Sequence, residues 1–296
     1  MDEQQIQFLL SRGFEVEDAL QEGPISWNFE SEETEFTPSH YCVRNVADGD
    51  WIAVAYYPKA RDDLDTVTEA HRRNSILRRI WVMQRVAALE SPCESLAPLL
   101  EKLEDRRFTY ILMPLYDITL DEWMDTKRQY KEKVSFNQAL RICIQLATAV
   151  GKLHKMRVIH RNIMAFNVML DQKENAVLVG YGQASIPHAD FQGENELPRL
   201  RFNDVIVPPE QTSHTYATDI WALGKLFLRL FSGKLFPGPG PHNIEDAIFK
   251  YMGSSQPKLS EVIRLLSRML EENPRLRYNI ENVLVELSLI LEPSYC

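Results

Sequence analysis

The chain has 296 residues, 45% of them apolar and 25% charged, and a formal net charge of -9. That length can hold two lobes with a core each, and the composition is that of a folded globular protein. The acidic balance argues against nucleic acid or an anionic membrane as the main target, since both need a basic surface.

Ile6, Leu9 and Leu10 fall at helical spacing ahead of Gly13, with a stop at Gly23-Pro24, so the opening stretch reads as one or two short helices. The acids Glu30, Glu32, Glu33 and Glu35 follow as a solvated loop, which makes residues 1–40 a helical and acidic extension. Tyr41 to Val46 and Trp51 to Tyr57 read as strands joined by an Asp48-Gly49 hairpin turn. A long helix is predicted from Thr66 to Leu89, with Ile76, Ile80, Met83 and Ala87 in one stripe and Leu77 and Trp81 beside it. The same helix carries Arg72, Arg73, Arg78, Arg79 and Arg85, read as a solvated face or, more sharply, as a basic docking surface for a protein partner. Leu99 to Leu103 and Phe108 to Met113 read as two more strands, and a helix starts near Thr119.

Ser135 and Gln138 form a capping-box signature, followed by Ala139, Ile142, Cys143, Leu146, Ala147, Val150 and Leu153 on one helical face. Next come His160-Arg161-Asn162, Asn167, two short strands at Val168 to Leu170 and Ala176 to Val179, and Gly180-Tyr181-Gly182. Further on stand Val207-Pro208-Pro209-Glu210, Asp219-Ile220-Trp221-Ala222-Leu223-Gly224 opening an amphipathic helix, and Asn273-Pro274-Arg275-Leu276-Arg277. In this order, from about Tyr41 to Leu291, the chain resembles the protein kinase family, whose HRDxxxxN, DFG and APE motifs these segments follow.

The resemblance implies an α+β, bilobal protein-kinase-like fold: a small β-rich N-lobe with one long helix over residues 41–114 and a larger, mostly helical C-lobe over 115–296. It also implies structural roles for His160 and Arg161, a carboxylate at Asp219 that accepts hydrogen bonds from the loop backbone, and an ion pair between Glu210 and Arg277. The charged groups of phosphotransfer are replaced. Ala55 stands at the nucleotide lysine, Val82 at its glutamate partner, Asn162 at the aspartate that orients the substrate hydroxyl, and Gly180 at the metal-binding aspartate. Asn167 alone remains of the metal set, Met164 replaces a lysine that touches the transferred phosphate, and Lys59 is read as a surface charge. Upstream of Trp51 the glycines are Gly13, Gly23 and Gly49, which do not spell GxGxxG. Between Gly182 and Glu210 only Ser185 carries a hydroxyl, and Asp190, Glu194 or Glu196 could occupy Arg161 in place of a phosphorylated residue.

These residues lead to the expectation of a pseudokinase, not an enzyme, that binds a protein partner, such as an active kinase or other signalling enzyme, as scaffold, allosteric regulator or decoy. The alternatives are a nucleotide-sensing module and an atypical kinase with a rewired active site. No cofactor or metal is expected, with ATP binding weak and metal-independent at most. Scattered single cysteines, an acidic start and the lack of a long apolar run lead to the expectation of a cytoplasmic or nuclear protein without signal, anchor or membrane span.

Overall fold

The computed structural model describes residues 1–16, 39–60, 66–186, 208–210, 215–236 and 244–291. The Gly23-Pro24 stop, the acids Glu30 to Glu35 and the loop acids Asp190, Glu194 and Glu196 lie outside them. Helix α1 (Glu3–Ser11) opens on a capping box in which Asp2 accepts from the Gln5 backbone and the Gln5 side chain accepts from the Asp2 backbone. Gly13 then takes φ +89°, a left-handed conformation that suits glycine, and turns the chain into strand β1 (Phe14–Val16). The sequence reading had only helix here.

Strand β1 pairs with β2 (Ser39–Asn45), and β2 with β3 (Trp51–Pro58) through the turn at Gly49. With β4 (Glu101–Glu104) and β5 (Phe108–Pro114) they form one antiparallel sheet in the order β1-β2-β3-β5-β4. Its two faces follow the two-residue alternation of a strand. Ile52, Val54, Tyr110 and Leu112 pack with Leu9 and Phe14 on one side, so α1 covers that face. Ala53, Ala55, Ile111 and Met113 face the opposite side, in one core with Ile80, Val82, Met83 and Val86 of helix α2 (Thr66–Ala87).

The apolar stripe of α2 therefore runs through Val82 and Val86, whereas Ala87 and Leu77 are exposed. The five arginines of α2 do not form one basic face. Arg73 and Arg85 are exposed, but Arg72 is 4% exposed and tied to Glu69, Arg78 is 1% exposed, and Arg79 is half-buried with its guanidinium on the Tyr57 hydroxyl. This corrects the reading of Arg72, Arg78 and Arg79 as an outer surface. The helix is packed on two sides, and long arginine stems bury readily when the head finds partners.

The second lobe begins with β6 (Ile118–Thr119) and α3 (Leu120–Gln129), whose capping box joins Thr119 and Glu122. Helix α4 (Phe136–Lys155) has its own box at Ser135 and Gln138. Strands β7 (Val168–Leu170) and β8 (Ala176–Leu178) complete a small antiparallel sheet with β6. Helix α5 (Tyr216–Ser232) is buried along most of its length and is packed by α4, α6 (Ile244–Met252) and α7 (Leu259–Met269), with α8 (Ile280–Leu291) against α4 and α7. Among the described residues, no helix is long and apolar enough to cross a membrane.

Candidate active site

Asp219 gathers the loop that precedes Asn167. It lies fully buried in the first turn of α5, and its carboxylate accepts the backbone N–H of His160 and of Arg161, each at 2.8 Å. His154 Nε2, at the end of α4, lies 2.9 Å from the same carboxylate. These bonds hold Arg161 at φ +67°, a region that costs a side-chain-bearing residue ~1–2 kcal/mol.

His160 Nε2 donates to Val179 O at 2.9 Å, and its Nδ1 accepts the N–H of Asn162 at 3.2 Å, a pair of bonds that requires the neutral ring. Burial pushes the His160 pKa below its ordinary value, against the pull of Asp219. Burial, and after it the neighbouring Arg78, lowers Arg161 to about 10.

Asn167 Nδ2 donates to Asn162 O at 2.8 Å. Gly180 sits against this amide with φ +85°, and the next residue, Tyr181, is buried with its O–H donating to Leu178 O at 2.7 Å and accepting from Ala97 N–H at 3.0 Å. Helix α2 rests directly on the 3-10 turn Tyr181–Gln183, so closely that a Cβ on Gly182 would lie 2.4 Å from Ser75 Oγ. Ala55 and Val82 are each 0% exposed and belong to one apolar core. Where an ion pair would join strand and helix, two buried aliphatic side chains stand. Lys59 is at the surface, 3.2 Å from Glu104.

Arg277 grips Glu210 with two bonds, Nη1–Oε1 at 2.8 Å and Nη2–Oε2 at 2.9 Å, and also donates to Ala217 O at 2.7 Å. Its guanidinium lies 4.9 Å from the Trp221 ring centre. The structure thus brings His160, Arg161 and Asp219 into one cluster and Glu210 and Arg277 into another, both anchored on α5. His154 was not singled out from the sequence. A histidine one loop ahead of His160 carries no motif of its own, and only the fold shows that it shares Asp219.

The resemblance to kinases implies a magnesium nucleotide, and the residues present do not fit one. Magnesium is held through carboxylates and phosphates. Here the neighbouring protein oxygen is the Asn167 amide, already packed against Gly180, and the phosphate-pairing lysine is a buried alanine. Among the described residues, no three His, Cys, Asp or Glu side chains cluster to hold a metal ion.

Residues 40–287 match the protein kinase domain. The Saccharomyces cerevisiae protein named fatty acyl-CoA synthetase and RNA processing-associated kinase 1 is 26% identical over 178 residues, 55% of this chain and 20% of that one. Serine/threonine-protein kinase KIN4 of the same yeast is 27% identical over 178 residues, covering 55% and 21%. Dual specificity protein kinase zak2 of Dictyostelium discoideum is 24% identical over 199 residues, covering 60% and 30%. The chain thus spans less than a third of the length of these relatives. The match corrects the expectation that the chain is not an enzyme: it aligns with a domain of phosphotransferases and with proteins named as kinases. The replaced groups at Ala55, Val82, Asn162 and Gly180 describe how this cleft departs from the usual kinase set and do not place the chain outside that set of enzymes. With the match extending over most of both lobes, the chain belongs to the protein kinase domain family.

Proposed function

We propose that this kinase domain serves signalling by holding a protein partner, as a scaffold, an allosteric regulator or a decoy. The observation that carries this reading is the way α2 is seated. In kinases the helix is brought in by an ion pair with the nucleotide lysine, a contact that activation controls. Here Val82 and Ala55 share an apolar core, Ser75 abuts Gly182 and Arg79 reaches the Tyr57 hydroxyl, so the helix is seated without that ion pair. A surface of fixed shape is suited to recognition, because less ordering is required on binding. The test is affinity capture of the full-length protein from its native cells, with nucleotide removed by apyrase, beside Gly182→Val, which unseats α2. A stoichiometric partner kept without nucleotide and lost in the variant is expected. Recovery of the protein alone, or of a partner that leaves with nucleotide, would sink this reading.

A second reading, favoured by the relatives named as kinases, is phosphotransfer on a rewired site. Its test is turnover of radiolabelled ATP by the purified chain. Turnover abolished by Asn167→Ala would support it, and turnover unchanged by that substitution would remove Asn167 from the chemistry.

A further inference from the structure

Ser75 is half-buried where α2 meets the Tyr181–Gln183 turn, its Oγ so close to Gly182 that a Cβ there would be 2.4 Å away. One turn further along the helix, Arg79 reaches the Tyr57 hydroxyl. Arg161 donates to Gln183 O at 3.1 Å, which places a second guanidinium on the same turn, and Arg78 is near enough to Arg161 to help lower its pKa. The helix changes character at Ser75. Ile80, Val82, Met83 and Val86 belong to an apolar core, whereas among the described residues none from Thr66 to Ser75 belongs to one. The N-terminal part of α2 thus lacks the burial that fixes the rest, and such ends open locally at low free-energy cost. Arg72 and Arg73 immediately precede Asn74 and Ser75. Arg73 is exposed, and Arg72 pairs within the helix, with Glu69 at 2.7 Å. Two guanidinium groups just ahead of a hydroxyl suit a serine kinase whose substrate cleft carries acids, by complementary charge.

We propose that Ser75 is phosphorylated by such a kinase, and that the phosphate lifts the N-terminal part of α2 off the Tyr181–Gln183 turn. The γ-phosphoryl group of ATP leaves its bridging oxygen and bonds Ser75 Oγ, the hydroxyl proton goes to the modifying enzyme's base, and ADP departs. A hydroxyl packed against Gly182 leaves no room for a phosphorus and three oxygens in the seated position. Once displaced, the phosphate lies one turn from Arg78 and Arg79 and competes with Tyr57 for Arg79, which loosens the link between helix and strand as well. Neither step depends on the partner-binding reading.

The full chain would be incubated with ATP and a serine kinase that selects arginine two and three residues ahead of its acceptor, and the phosphate located by mass spectrometry. Ser75 is expected to carry it. Arg73→Glu should slow incorporation at least tenfold with the melting temperature unchanged, and Ser75→Ala should abolish it. In the phosphorylated chain, amides of residues 68–76 and 181–183 should exchange hydrogen at least tenfold faster, with residues 82–87 as before. A chain that stays unmodified at Ser75, even where a peptide of residues 66–80 is modified, would overturn the proposal. Incorporation indifferent to Arg73→Glu, or a phosphorylated chain whose α2 exchanges as the parent's does, would do the same.

Discussion

The Asn167 side chain fills the space that a β-carbon on Gly180 would need: Oδ1 lies 2.4 Å from the ideal position, and Gly180 itself is at φ +85°. Placing a carboxylate at Gly180 therefore does not simply rebuild a metal site. Gly180→Asp must displace an amide that is bonded to Asn162 O. The lost hydrogen bond and the left-handed backbone together cost about 1–3 kcal/mol. Urea unfolding should show that loss, and magnesium should not raise the midpoint. Asn167→Ala in the same chain should recover part of the loss. A Gly180→Asp protein as stable as the parent would refute the packing described.

The contact of Ser75 with Gly182 makes a compensation test. Gly182→Ala alone places its methyl 2.4 Å from Ser75 Oγ, whereas Ser75 Cβ is 3.7 Å away. Overpacking of this kind typically costs about 1–3 kcal/mol. Ser75→Ala removes the offending atom, so the double variant should unfold within about 0.5 kcal/mol of Ser75→Ala itself. Equal penalties for Gly182→Ala with and without Ser75 would show that α2 does not rest on this turn.

Much of the second lobe is legible in the sequence because its signals are local. Ser135 and Gln138 mark the start of α4, and the spacing from Ala139 to Leu153 gives its buried face. The first lobe is less legible. Strand β1 is three residues long, too short for an alternation to register, and its partner β2 lies beyond a long connection. Arginine at positions 72 and 78 reads as solvent-facing by composition, yet the helix is enclosed on both sides and takes the stems inside. The roles of Asp219, Glu210 and Arg277 come from resemblance to kinases, since nothing in a lone aspartate or arginine tells which distant residue it meets. His154 escaped notice for the same reason: its neighbours are brought together only by the fold.

Glu210 and Arg277 form a pair whose side chains are 8% and 0% exposed. Removing Glu210 alone strands a buried guanidinium, and the cost of breaking such a pair is about 3–5 kcal/mol. Arg277→Ala should be as severe, since it also gives up Trp221 and the Ala217 carbonyl. Leu at Glu210 together with Met at Arg277 leaves no unpaired charge between them. A double-mutant cycle in urea should therefore give a coupling of at least about 1.5 kcal/mol. Additive losses would mean that the two residues hold the lobe independently.

The pH dependence of stability turns on His160. Its ring is neutral in the fold, donating to Val179 O and accepting from Asn162 N–H, and burial holds its pKa below the ordinary 6.5. Asp219 opposes this shift and His154, sharing that carboxylate, reinforces it. Because the folded value is depressed, the unfolded chain binds the proton first as the pH falls. The stabilisation linked to the neutral ring is therefore complete above about pH 6.5 and is lost progressively below it, down to the folded value. Urea midpoints taken between pH 7.5 and 5.5 should fall with acidification in the parent. In His160→Gln, which keeps a donor and an acceptor but cannot titrate, that fall should shrink. The same fall in both proteins would assign the acid sensitivity to another group and remove His160 from this role.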